Sequence, residues 1–134
     1  MITLKYALIC DEVRREDNGK LIIIGMYTPN MAVPQLPFVL PQLTLFVHLE
    51  SDATGHAGLH MKLQRLEDGQ TLVEAHGGLV FQRPGGGLSH LTFGNVRFMA
   101  AGAYNFILEI EGQKEPLIVP FNVILKPPSG AGGR

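Results

Sequence analysis

Cys10 is the only thiol in the chain and therefore the first residue to consider for nucleophilic chemistry. It ends an apolar run and is followed at once by Asp11 and Glu12. Two adjacent carboxylates raise the pKa of a thiol, whereas a catalytic cysteine needs a lowered pKa and a neighbouring base. We interpret Cys10 as a buried structural residue, and the sequence predicts no catalytic residue.

The five histidines are the other side chains that could carry chemistry, as ligands of a metal ion. If residues 43–50 and 58–66 paired as a hairpin, His48 would lie across from His60 on its polar face. Two imidazoles could share a zinc or copper ion, but a structural zinc normally takes four ligands and a third is not evident. We therefore expect exposed sheet histidines and predict no metal and no other cofactor.

The segment from Asp11 to Asp17 is the densest group of charges in the chain. Mixed charges over so short a run usually form the solvated end of a hairpin. The segment could instead be a recognition loop in which an arginine binds a carboxylate or phosphate through two parallel hydrogen bonds. Both interpretations stay open, and the candidate binding residues are Asp11, Glu12, Arg14 and Arg15.

The run from Leu21 to Tyr27 is apolar at both odd and even positions. A strand in a sandwich usually buries one face only, so the second face of this strand needs a cover. That cover is either the proline-rich segment that follows or a partner protein. The second alternative makes Ile22, Ile24 and Met26 candidate interface residues.

The elements that must position these residues are short apolar segments bounded by Gly, Pro or Asn, which are typical of strands. We predict strands at 3–10 and 20–27, joined as a hairpin through Asn18-Gly19. Residues 28–42 contain four prolines and should form an extended crossover. The other predicted strands are 43–50, 59–64, 71–74, 78–82, 91–99, 103–111 and 117–125. This pattern predicts an all-β fold, an immunoglobulin-like sandwich of two antiparallel sheets with about seven to nine strands.

The tripeptide Gly102-Ala103-Tyr104 is the sharpest indication of this fold. In immunoglobulin-like sandwiches, a tyrosine near the start of the penultimate strand donates a hydrogen bond to a backbone group upstream. We expect Tyr104 to fill this structural role after a turn at Gly102; an ordinary strand tyrosine is the alternative. We expect residues 1–126 to form one domain and residues 127–134 to be a disordered tail.

Three motifs lie close together in the first fifth of the chain: Ile9-Cys10-Asp11-Glu12-Val13-Arg14-Arg15-Glu16, Gly19-Lys20-Leu21 and Gly25-Met26-Tyr27. They resemble the opening of a family of short bacterial proteins known only as a domain of unknown function. Gly102-Ala103-Tyr104 and Pro120-Phe121-Asn122-Val123 resemble later parts of the same family. The resemblance implies a bacterial or phage origin and a β-sandwich, and it carries no activity.

Eleven basic and twelve acidic side chains give a formal net charge of −1. Such a charge produces no field that would concentrate nucleic acid or an anionic membrane, so neither is predicted as a partner. The charged fraction of 17% is low for a globular protein, which favours self-association. No apolar run reaches the ~20 residues that span a bilayer. The first residues lack the apolar core of a signal peptide, and we expect a cytoplasmic protein.

Together, these features predict a non-enzymatic protein-interaction or structural module, as a homo-oligomer or as a subunit of a bacterial or phage assembly. The alternative is a module that binds a small molecule or carbohydrate through the loops at one end of the sandwich. Such sites typically offer exposed aromatic rings for stacking, and the chain has no tryptophan. A metal-dependent enzyme is the least favoured hypothesis.

Overall fold

The computed structural model describes residues 1–127, which form ten β-strands joined by turns and short loops. Most of these strands follow the apolar segments of the sequence, because β-branched and aromatic side chains fit a pleated, half-buried surface. The strands are β1 (Ile2–Cys10), β2 (Glu12–Arg15), β3 (Leu21–Ile24), β4 (Asn30–Val33), β5 (Phe38–Ser51), β6 (Gly55–Arg65), β7 (Thr71–Phe81), β8 (Gly85–Phe98), β9 (Gly102–Ile110) and β10 (Leu117–Leu125).

Eight of these strands form the two sheets of a sandwich, and the other two form a separate ribbon. One sheet has the order β1-β5-β8, and the other has the order β4-β10-β9-β6-β7. The prediction of an all-β sandwich is confirmed. One pair departs from the antiparallel pattern, since β4 runs parallel to β10.

The core lies between the two sheets and follows the two-residue period of the strands. Leu43, Leu45 and Val47 of β5 are completely buried. The facing sheet contributes Leu59, Met61 and Leu63 from β6 and Tyr104, Phe106, Leu108 and Ile110 from β9. Alternation along single strands was visible in the sequence, so the residues of this core were predictable from it.

Tyr104 has the geometry of a tyrosine corner. Its hydroxyl donates a hydrogen bond of 2.6 Å to the backbone oxygen of Ala100, four residues upstream. Its ring packs edge-on against Phe98 and is stacked with Phe121, at centroid distances of 5.2 and 5.8 Å. Burial is the main cause of the raised pKa of this phenol. Gly102 stands at the turn before it, with a φ of +136°.

The predicted hairpin between residues 3–10 and 20–27 is wrong. β1 pairs with β5, and the partner of β3 is β2, which is made from the charged segment itself. The chain does turn at Asn18-Gly19, where the Gly19 amide donates a hydrogen bond to the backbone oxygen of Glu16. The residues of the turn therefore determine where the chain reverses, but they do not specify which strand precedes the turn and pairs with β3.

The predicted hairpin between residues 43–50 and 58–66 is also wrong. β5 and β6 follow each other in the chain but lie in different sheets. β5 lies between β1 and β8, and β6 lies between β7 and β9. The segment predicted as an extended crossover, residues 28–42, contains β4 and the start of β5. Both strands of the predicted hairpin exist, but β5 pairs with two strands distant in sequence, and β6 pairs with the next strand, β7, and with the distant β9.

The described part of the chain contains no helix, and thus none that is long and apolar enough to cross a membrane. Residues 128–134 of the predicted tail lie outside the described residues. The assignment of residues 1–126 to a single domain stays a prediction.

Candidate functional site

The ribbon formed by β2 and β3 (residues 12–24) contains an apolar strand, β3, that is not buried in the sandwich. Its register pairs Glu12 with Ile24 and Arg15 with Leu21. No residue of either strand is buried. Ile22 and Ile24 are 42% and 38% exposed, and Met26 beyond the ribbon is 58% exposed. The proline-rich segment therefore leaves this surface uncovered.

The two faces of the ribbon follow from its register, because directly opposed residues point to the same side. One face carries Ile22 and Ile24 on β3 and Arg14 and Glu12 opposite them on β2. We call it the isoleucine face. The second face carries Leu21, Val13 and Ile23, which are half-buried, together with Arg15, which is exposed.

Asp11 fixes the base of the ribbon to the three-stranded sheet. Its backbone oxygen accepts hydrogen bonds from Gln42 Nε2 at 3.0 Å and Thr44 Oγ1 at 3.1 Å. Its amide donates to the backbone oxygen of Ile24 at 3.0 Å, and its carboxylate accepts from the Tyr27 hydroxyl at 2.9 Å. Asp11, predicted as a binding residue, is therefore held in contacts that orient the ribbon.

The contact between Tyr27 and Asp11 changes the pKa of the tyrosine. Burial, and then the hydrogen bond to Asp11 with its negative charge, raise the pKa of the Tyr27 phenol to about 12. Because ionisation would break the bond and place two anions together, the phenol stays protonated at neutral pH. Tyr27 therefore acts as a permanent donor to Asp11.

Position 25, beside the contact between Tyr27 and Asp11, accommodates only glycine. Its φ is +66°, and a β-carbon at this position would lie 2.3 Å from Asp11 Oδ2. A side chain would therefore meet both backbone strain and a carboxylate that is already hydrogen-bonded. The Gly25-Met26-Tyr27 motif is thus the counterpart of Asp11 in closing the base of the ribbon.

Cys10 is fully buried where β1 meets the ribbon. Burial is the main cause of its raised pKa; a hydrogen bond of 3.7 Å to the backbone oxygen of Glu12 partly opposes it, and the charge of Asp11 adds to it. This environment favours the thiol over the thiolate, which is the reactive form.

The charged residues of the ribbon form local pairs. Arg14 Nε donates to Glu12 Oε2 at 2.7 Å, and this bond raises the pKa of the guanidinium. Glu12, Arg14 and Arg15 all lie on β2, so the segment predicted as a loop is a strand. The four candidate binding residues thus lie together at one ribbon, although Arg15 points to the face opposite Glu12 and Arg14.

The predicted pair of His48 and His60 is wrong, because the two residues lie in different sheets. His48 lies opposite Tyr6 and Leu88 in the three-stranded sheet. Among residues 1–127, no group of three or more His, Cys, Asp or Glu side chains is arranged to hold a metal ion.

His60 has a different arrangement from the predicted one. Its Nδ1 lies 2.8 Å from Glu109 Oε1, its Nε2 lies 2.7 Å from Glu74 Oε2, and its ring stacks on His76 at 4.4 Å. Both nitrogens can donate only when the imidazole is protonated. The bonds to Glu74 and Glu109 accordingly raise the pKa of His60.

A cleft of about 630 Å³ opens between the two sheets at one end of the sandwich. Apolar residues that include Ile2, Phe81 and Ile110 line it, and Glu111, Lys114 and Glu115 contribute charged groups. Sequence reasoning missed this site because its lining comes from four separate parts of the chain: residues 1–2, 51–57, 81 and 110–115.

Residues 5–124 match the sequence profile of a family of unknown function, DUF6941. The chain belongs to this family. The matched range contains both the ribbon and its Asp11 anchor, and membership of a family of unknown function is confirmed as predicted. No curated protein sequence gives a match to this DUF6941 chain.

The fold of this DUF6941 chain is similar to that of a solved structure, the C-terminal domain of Wzt. The TM-score is 0.51 at 12% sequence identity, and the alignment covers 92% of this chain and 73% of that chain. At this identity the likeness shows the fold alone.

The sequence placed the exposed apolar strand correctly but missed the residues that orient it. Gln42 and Thr44 bind Asp11 from β5, a strand more than thirty positions away. Only the pairing of β1 with β5 brings them together, and no local pattern signals this. The Gly25-Met26-Tyr27 motif was the one available signal, because a glycine between two apolar segments often marks a special backbone position.

Proposed function

We propose that this DUF6941 chain is a non-enzymatic protein-interaction module whose ribbon docks on a partner chain, in the setting of a bacterial or phage assembly. The observation that carries the proposal is the exposure of Ile22 and Ile24 on a strand with no buried residue. A two-stranded hairpin is marginally stable in water by itself. A partner that covers the isoleucine face would stabilise the ribbon as well as the complex.

Burial of the two isoleucines supplies part of the free energy of docking, and the rest must come from other contacts, because association costs translational and rotational freedom. Full burial of an isoleucine side chain contributes roughly 1.5–3 kcal/mol. Ile22 and Ile24 have 42% and 38% of their surface exposed, so covering them contributes about 1 kcal/mol each. The Asp11 contacts hold the ribbon in one orientation before it binds, which reduces the conformational entropy lost on docking.

The test is the mass of the purified protein by light scattering or sedimentation, since a second copy is the simplest partner. We expect an oligomer that Ile22→Glu and Ile24→Glu shift towards the monomer. Ile118→Glu is the matched control, because Ile118 is also 42% exposed but lies on β10. A wild-type monomer, or equal effects of all three variants, would remove the main support for the proposal.

A second candidate function is supported by the end cleft. Its volume of about 630 Å³ falls within the range of small-molecule sites, and it lies where the loops of the sandwich gather. The candidate is binding of a small metabolite or sugar, with an apolar part against Ile2 and Ile110 and polar groups towards Glu111 and Lys114.

A thermal-shift screen of metabolites and sugars tests the second candidate. We expect a ligand that raises the melting temperature of the wild type, and we expect Ala57→Phe to abolish the shift by filling the cleft. Ala75→Phe is the control, since Ala75 is half-buried in the neighbouring strand and does not line the cleft. A screen without hits counts against this function.

A further inference from the structure

We infer that the partner of the ribbon is a second copy of this chain, and that the two copies join through antiparallel pairing of their β3 strands about a two-fold axis at Ile22. The inference rests on the proposed function, because it requires that the ribbon is the docking element. It goes further by naming the partner and the contact. The pairing would create a four-stranded sheet in the order β2-β3-β3-β2.

The first observation is that β3 has a free edge. Among the described residues, it pairs only with β2. The amide of Glu16 donates to the backbone oxygen of Lys20 at 2.7 Å, so these two residues form a hydrogen-bonded pair. Such pairs alternate along an antiparallel ladder, and Ile22 is therefore bonded to β2. The backbone groups of Leu21 and Ile23 point instead to the free edge.

The second observation is the lack of features that block edge pairing within β3. Natural edge strands are protected by lysine, proline, β-bulges or a covering element. β3 reads Leu-Ile-Ile-Ile and has none of these within its four residues, so its short length is the one protective feature of this edge. β1, an edge of the three-stranded sheet, has a bulge between Leu4 and Tyr6. The edge of β3 is thus chemically suited to accept another strand.

The third observation is the charge distribution, which selects the antiparallel direction. Lys20 precedes β3, while Glu12 lies directly opposite Ile24 at its other end. Both side chains belong to the isoleucine face, because residues 12, 20 and 24 have the same parity in the register. Antiparallel pairing brings Lys20 to Glu12 of the partner subunit, twice by symmetry. A parallel pair would instead place Lys20 beside Lys20 of the partner subunit.

These constraints define one register. With the axis at Ile22, Leu21 faces Ile23 of the partner subunit and exchanges hydrogen bonds with it. Ile22 then faces Ile22 of the partner subunit as a non-hydrogen-bonded pair, and Lys20 faces Ile24 of the partner subunit beside its Glu12. The isoleucines occupy the centre and the charges the rim, as in most protein interfaces.

Disulfide trapping tests the register. The α-carbons of a non-hydrogen-bonded pair are about 4.5 Å apart, which a disulfide can bridge. We expect Ile22→Cys to form a covalent dimer under mild oxidation. Ile24→Cys is the control on the same strand, because the two α-carbons would be separated by four residues, roughly 13 Å. Wild-type protein controls for Cys10, which is fully buried.

A charge exchange tests the contact between Lys20 and the carboxylate. We expect Lys20→Glu to weaken dimerisation roughly fivefold or more, because two ion pairs become two repulsions. Adding Glu12→Lys to this variant should restore most of the loss. Circular dichroism of each variant verifies that the sandwich stays folded.

The outcomes separate the two proposals. An oligomer that is sensitive to Ile22→Glu, but gives no cross-link at Ile22→Cys and no charge rescue, overturns the edge pairing and leaves the ribbon as a docking element. A cross-link at Ile24→Cys instead overturns the register. A wild-type monomer overturns the edge pairing and removes the main support for the ribbon as a docking element.

Discussion

At the scale of residues, the contacts of Asp11 hold the ribbon in one orientation. From the sequence, Asp11 is a candidate binding residue in a charged segment that could equally be the solvated end of a hairpin. In the structure, the Asp11 carboxylate accepts from Tyr27 and its backbone bonds to Gln42, Thr44 and Ile24. The residue therefore couples the ribbon to the sandwich.

Substitution of Gly25 tests this coupling. We expect Gly25→Ala to lower the free energy of unfolding by about 2 kcal/mol, from backbone strain and from the clash with Asp11. Gly69→Ala is the matched control, because Gly69 has a similar φ of +72° but nothing within 4 Å of the added carbon. Urea unfolding followed by circular dichroism measures both. If both variants lose the same free energy of unfolding, the clash with Asp11 contributes nothing to the effect of Gly25→Ala.

At the scale of elements, His60 joins three strands of the five-stranded sheet. It lies on β6, and its two nitrogens reach Glu74 on β7 and Glu109 on β9. Carboxylates on the two strands that flank β6 therefore raise the pKa of this histidine. Its position on a polar strand face was predictable, whereas its partners were not, because they depend on which strands flank β6.

The raised pKa of His60 predicts a pH dependence of stability. The pKa of His60 is higher in the folded protein than its value of about 6.5 in the unfolded chain. Protonated His60 therefore stabilises the fold, and this contribution is fully present below about pH 6.5. This contribution is lost as the pH rises through the folded pKa. The free energy of unfolding of the wild type should thus exceed that of His60→Gln by more at pH 6 than at pH 8.5. His90→Gln is the control, and a difference independent of pH would contradict the prediction.

At the scale of the whole molecule, the two sheets enclose a core, whereas apolar side chains of the ribbon, and others on the outer strand faces such as Leu88 and Ile118, are exposed. The two sheets bury one face of nearly every strand against each other, while β2 and β3 contact little of the sandwich and bury no residue. The low charge content is consistent with this division. The expectation of self-association belongs at this scale, because it depends on which surfaces the complete fold leaves uncovered.

The sequence by itself determined the all-β fold class, the core positions, the turn at Asn18-Gly19 and the presence of one strand that is apolar on both faces. These features depend on local periodicity and turn chemistry, which act over a few residues. The tertiary structure decided that β1 pairs with β5, that β5 and β6 belong to different sheets, and that His48 and His60 are apart. Strand pairing joins residues distant in the chain, and many pairings satisfy the same alternation, so only the packing of the whole sandwich selects among them.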